Sequence, residues 1–259
     1  MPTPRRVLVP LPSRDFDPTE AAVPWKRLTD AGHDVVFATP CAQPAQADPI
    51  MLSGVGLWLW KPLLRAEPYG VACYEQMVRS AAFGAPLRWD AVDADEYHAL
   101  LLPGGHAKGM REYLESRELQ AVVARFFAAR RPVGAICHGT LLVARSISPL
   151  TGKSVLHGLK STGLQRRQEW AAYLLTALYM GKYYRTYDVA METELRSFLA
   201  DPANDYLPGP LPLKRDSPSD LSAGFTVLDA NYPYLSARWP GDANKFAADF
   251  LTLIEGLKE

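Results

Sequence analysis

The stretch Ala135-Ile136-Cys137-His138-Gly139-Thr140 decides the reading of this chain. Small residues stand two places before and two places after a single cysteine. The apolar run Pro132-Val133-Gly134-Ala135-Ile136 leads in as a strand, and Leu141-Leu142-Val143-Ala144-Arg145 leads out as a helix. This is the layout of a nucleophile elbow, G-x-S-x-G, with Cys for Ser and Ala for the first Gly. The turn is tight, and a large side chain at either flank would collide with backbone. The sulfur would then lie at a helix N-terminus, where the dipole favours a thiolate.

Outward from that turn, short apolar runs alternate with amphipathic stretches. Val7 to Leu11, Val35 to Ala38, His98 to Leu102, Val133 to Ile136 and Ser154 to Leu156 read as strands. Glu20 to Ala31 reads as a helix stopped by Gly32, and Leu119 to Ala129 as a second. Asp242 is a good N-cap for a last helix reaching about Leu257, with Phe246, Phe250, Leu253, Ile254 and Leu257 as its core face. Apolar strands alternating with helices predict a doubly wound, mostly parallel α/β sheet covered on both faces. Two excursions, about 42–85 and 170–224, interrupt a single expected domain spanning 1–259. Segments of this length serve either as lids and binding loops or as surface decoration.

Bulk properties exclude several classes. The 259 residues carry 28 Lys plus Arg against 28 Asp plus Glu, with 48% hydrophobic residues. That balance points to neither nucleic acid nor an anionic membrane. The apolar run after Arg6 is too short for a signal h-region, and Trp170 to Met180 is far below the roughly 20 residues needed to span a bilayer. A cytoplasmic protein is expected.

Three cysteines without paired spacing argue against a disulfide framework or a zinc site. Cys41 and Cys73 read as small buried hydrophobes. A second motif, Leu101-Leu102-Pro103-Gly104-Gly105-His106, ends the third strand, where ligands bind in open parallel sheets. The Gly105 and His138 amides are placed to form an oxyanion hole, with Gly104 and His106 beside the substrate. Default readings are a plain glycine turn and partly exposed polar residues for His106 and His157. His33 reads as a surface turn residue. No phosphate loop, dinucleotide fingerprint or metal-spaced cluster is present, so the expected site has no cofactor and no metal.

The order strand–Pro-Gly-Gly-His, helix, strand–Ala-Ile-Cys-His-Gly resembles the ThiJ/PfpI superfamily, within the class I glutamine amidotransferase-like fold. Asp17-Pro18-Thr19-Glu20-Ala21-Ala22-Val23-Pro24 and Leu235-Ser236-Ala237-Arg238-Trp239-Pro240-Gly241-Asp242-Ala243 look like the family's segments at those places. The resemblance covers about 5–40, 95–165 and 225–257. It implies that Glu20 contacts the Cys137 sulfur and that His138 is the base. On the residues alone, Glu20 reads as a helix-start acid, and Asp17 is a lesser candidate. An acid orienting the histidine soon after the next strand is missing from His157-Gly158-Leu159-Lys160-Ser161-Thr162. It is absent, or supplied by Glu169, the 170–224 excursion or another subunit. No histidine begins the His-x-Glu pair of glutaminases.

The expected function is that of a cysteine-dependent hydrolase or lyase acting on a small carbonyl or amide compound, glyoxalase-like or deglycase-like. Cys137 attacks, His138 moves protons and Glu20 tunes the sulfur. The aromatic content at Trp58, Trp60, Tyr183 and Tyr184 suggests an apolar pocket. The alternative is a redox sensor or holdase chaperone using the same thiol, and an intracellular peptidase ranks last. A homodimer is expected from the resemblance and from the frequency of symmetric dimers.

Overall fold

The computed structural model of the chain describes residues 3–257. Its centre is a seven-stranded sheet: β1 (Arg6–Pro10), β2 (Asp34–Thr39), β3 (Leu87–Arg88), β4 (Ala99–Leu102), β5 (Val133–Ile136), β6 (Thr226–Leu228) and β7 (Tyr234–Ala237). The order across the sheet is β3-β2-β1-β4-β5-β7-β6. All neighbours pair parallel except β6 with β7. The principal helices are α1 (Pro18–Asp30), α2 (Pro68–Met77), α3 (Arg117–Ala128), α4 (Gly139–Arg145), α5 (Arg166–Met180), α6 (Met191–Phe198) and α7 (Ala243–Glu255).

The three central strands explain the architecture. Every residue of β4 and β5 is buried, as is Val7–Pro10 of β1. Strands apolar on both sides must be covered on both sides. Helix α1 packs with α2 and α7, while α4 packs with α3 and α6. Gly134 lets α7 lie flat on β5, because a Cβ there would stand 2.7 Å from the Phe250 ring. From β1 the chain turns to β2 on one side and later to β4 on the other. The crevice beyond the carboxyl ends of β1, β4 and β5 is therefore the topological switch point, where such sheets bind ligands.

Several expectations are corrected. Ser154–Leu156 is not a strand; Ser154 makes only an isolated bridge to Ile147. The place beside β5 goes to Tyr234–Ala237, whose four residues are all buried. The helix expected at Glu20 begins at Pro18, because the Asp17 carboxylate accepts from Thr19 N (2.8 Å) and Glu20 N (3.1 Å). Asp242 sits at the start of α7 without capping it. Its carboxylate is taken by Arg238, at 2.7 and 2.8 Å, in a fully buried pair. Leu257 lies beyond the end of α7.

His33 is buried rather than on the surface, and its Nδ1 accepts from Arg5 N at 3.2 Å. Cys41 is exposed, whereas Cys73 is buried as expected, and all three thiols are free. The first excursion holds α2; the second holds most of α5 and all of α6 and then runs irregularly from 199 to 225, through a Pro-rich stretch. No helix among the described residues is long and apolar enough to cross a membrane.

Candidate active site

Cys137 links β5 to α4 with φ of +56°, a left-handed conformation costly for a non-glycine residue. The small flank at 139 is obligatory: a Cβ on Gly139 would lie 2.2 Å from the Leu102 carbonyl oxygen. Cys137 is only 4% exposed.

Three segments converge on its sulfur. The Asp17 cap sets the first turn of α1 so that Glu20 faces the loop after β4. There Glu20 Oε2 accepts from Gly104 N at 2.9 Å, and the carboxyl also interacts with the Cys137 thiol. The Gly104 amide is thus taken by Glu20 rather than open to substrate. A Cβ on Gly104 would lie 2.7 Å from both Glu20 Oε2 and His138 N, so only glycine fits that junction. His138, although adjacent in sequence, brings Nδ1 to 3.6 Å from Sγ, and its backbone N–H also points at the sulfur. The Gly105 N–H makes no hydrogen bond within the described residues.

The electrostatics reverse one expectation. A helix N-terminus was expected to lower the thiol pKa. Instead it is raised well above its ordinary value, first by burial and next by the Glu20 charge, with the His138 N–H opposing. Glu20 is itself raised well above the usual carboxylate range, by burial first and Asp17 second. Asp17 rises to about 6, chiefly through burial. Three acidic groups cannot all ionise in so dry a space: Asp17 raises Glu20, and both raise Cys137. Protonation of Glu20 removes a repulsion and supplies a donor to sulfur. His138 falls to about 3, through burial and then through His106 and Arg145, so its ring is neutral.

The sequence did not single out Thr186. Its hydroxyl lies 2.5 Å from the His106 carbonyl oxygen and 3.2 Å from His138 Nε2. The group beyond the histidine therefore comes from the second excursion, as one alternative allowed, but it is no acid. Glu169 is engaged elsewhere, with Arg185 at 3.2 Å and Met191 N at 3.0 Å. No local pattern marks a threonine between two helices as a histidine's partner.

A cavity of about 220 Å³ is lined by Cys137 together with Asp17, Glu20, Gly105 and His106. Met51, Leu63, Leu64, Leu164, Leu175 and Tyr184 supply apolar walls. His106 stacks on Tyr184 with ring centroids 4.3 Å apart, and burial lowers its pKa. Tyr183 donates to Asp48 behind it. The tryptophans expected here do not line the cavity, and Trp58 is 75% exposed. His157 is exposed beside Lys153, 2.8 Å away. No cluster of three or more His, Cys, Asp or Glu among the described residues could hold a metal.

The sequence and the fold match a known group. A family model described as ThiJ/PfpI family-like matches residues 11–210, and the chain belongs to that family. The match includes both excursions as far as residue 210, which the motifs alone had left outside. An uncharacterised protein of Schizosaccharomyces pombe is 25% identical over 257 residues, spanning 96% of this chain and 84% of that protein. Deglycase PfpI of Pyrococcus furiosus is 27% identical over 157 residues, 59% of this chain and 68% of the relative. The structure of glyoxalase III from Candida albicans shares the fold with a TM-score of 0.66 and 20% identity, over 96% of this chain and 97% of that one.

Proposed function

We propose that the protein is a cysteine-dependent enzyme acting on a small carbonyl compound with an apolar substituent, in a glyoxalase-like or deglycase-like reaction. One observation carries this reading. The Cys137 thiol, on a strained nucleophile elbow, stands between a neutral imidazole at 3.6 Å and a buried carboxyl, in the lining of an apolar cavity. Relatives named deglycase and glyoxalase III favour carbonyl over amide substrates.

In this mechanism Sγ attacks the carbonyl carbon and the thiol proton passes to His138 Nδ1. The carbonyl π electrons move to oxygen, where the Gly105 and His138 amides stabilise the charge. His138 then returns the proton to that oxygen. Glu20, protonated, donates to sulfur while it is anionic. Proton transfer is opposed by both the raised thiol and the lowered imidazole, and an elbow that aims the sulfur at the reacting carbon offsets this by proximity.

The redox-sensor reading calls for an exposed, low-pKa thiol; this one is buried and raised. A peptidase would need room for a chain, and the cavity, with Leu164, Gln168, Ala172 and Leu175 in its lining, holds about 220 Å³. The test is incubation with methylglyoxal, phenylglyoxal and simple amides. Turnover of the dicarbonyls that disappears in Cys137→Ala is expected. No turnover, with peroxide-dependent mass gain at Cys137, would favour the sensor instead.

A further inference from the structure

We propose that Thr186 is a positioning residue that fixes the tautomer of His138, leaving Nδ1 as the bare base facing Cys137. This rests on the reading of Cys137 and His138 as the reacting pair. Two oxygens 2.5 Å apart, Thr186 Oγ1 and the His106 carbonyl, need a hydrogen between them. A carbonyl has none to give, so the Thr186 hydroxyl donates to it. A hydroxyl has one hydrogen only. Thr186 Oγ1 can therefore only accept from His138 Nε2, 3.2 Å away, and that nitrogen must carry the ring proton. Nδ1 is left with its lone pair toward Sγ, 3.6 Å away.

The arrangement is rigid. Thr186 is 1% exposed, and its own carbonyl accepts from Arg111 Nε at 2.7 Å. Among the described residues no carboxylate hydrogen-bonds the ring, whose two nitrogens face Cys137 Sγ and Thr186 Oγ1. When Nδ1 takes the thiol proton, the imidazolium Nε2–H donates more strongly to Thr186, and the His106 carbonyl accepts the strain of charge at the far end. The segment between α5 and α6 thereby fixes which nitrogen carries the proton on the residue at the N-cap of α4.

In serine proteases a wrong histidine tautomer costs about 10⁴ in rate. A neutral hydroxyl is a weaker partner than a carboxylate, so the expected loss here is about tenfold to about hundredfold. The experiment compares wild type, Thr186→Val and Thr186→Ser. Valine keeps the branched shape and removes the hydroxyl; serine restores it. The readouts are the iodoacetamide alkylation rate of Cys137 at neutral pH and the ¹⁵N signals of labelled histidine, with His138 assigned through His138→Gln.

The expected result is an Nε2–H pattern in wild type and serine, an Nδ1–H or mixed pattern in valine, and slower alkylation in valine alone. A valine variant that keeps the Nε2–H pattern overturns the proposal, as does a serine variant as slow as valine. If the tautomer switches while wild type turns over no carbonyl compound, the positioning role stands and the proposed enzyme function falls.

Discussion

Glu20→Gln separates the charge of Glu20 from its hydrogen bonds. Glu20 makes one contact to Gly104 N at 2.9 Å and one to the Cys137 thiol. Glutamine keeps an acceptor for Gly104 and turns an amide donor toward sulfur. Only the charge is lost. Two unit charges about 4 Å apart, at an effective dielectric of about 20, interact by about 4 kcal/mol. Relieving that repulsion lowers the thiol pKa, so Cys137 should react at lower pH in the variant. In wild type the interaction between the Glu20 carboxyl and the thiol should give alkylation rates that rise in two steps with pH. In Glu20→Gln a single step should replace them, below the upper wild-type step. The assay is initial-rate alkylation by iodoacetamide, resolved by peptide mapping, with exposed Cys41 as the internal reference. Superimposable profiles for Cys137 in the two proteins would refute repulsion between Glu20 and the thiol.

Asp17→Asn keeps the cap acceptors of α1 and removes a desolvated charge. Because folding raises Asp17 from 3.8 to about 6, the folded state holds an extra proton between those values. The stability this contributes is present below about pH 4 and is lost as pH rises through about 6, on the order of 3 kcal/mol. Urea unfolding should show wild type losing that stability relative to Asp17→Asn over this window; parallel curves would contradict it. Gly104→Ala should cost about 1–3 kcal/mol and most of the thiol reactivity, since two of its three close contacts, His138 N and Ile136 O, are backbone. A variant with wild-type melting and alkylation would refute the tight junction. Arg238→Leu strands the buried Asp242 carboxylate and should destabilise by about 3–5 kcal/mol in urea unfolding; a loss below about 1 kcal/mol would show that the pair is relaxed or hydrated.

What the sequence made legible follows from how local the causes are. Val133–Ile136 is apolar at every position, and the small residues after it forced the turn at Cys137, so strand, turn and helix were all readable. The Pro-Gly-Gly segment was readable as a backbone approach, although not that the first glycine's amide serves Glu20. Ser154–Leu156 failed because a short apolar run between turns packs equally well as an irregular segment. Asp242 failed as a cap because Arg238, four residues earlier, took its carboxylate. The thiol pKa failed because a dipole argument counts only the helix, whereas burial and two carboxyls depend on how α1 folds back over β4. Thr186 was invisible for the same reason: its role exists only once the segment after α5 closes over His138.

The central claim, that Cys137 is the reacting group, is tested most directly by titrating dicarbonyl turnover against label at that thiol. Sub-stoichiometric iodoacetamide is added, and each sample is split between a phenylglyoxal assay and peptide mapping. The account predicts that activity falls in proportion to label on Cys137, reaching zero at one per chain, and that substrate slows the labelling. Turnover that survives complete labelling of Cys137 would contradict it.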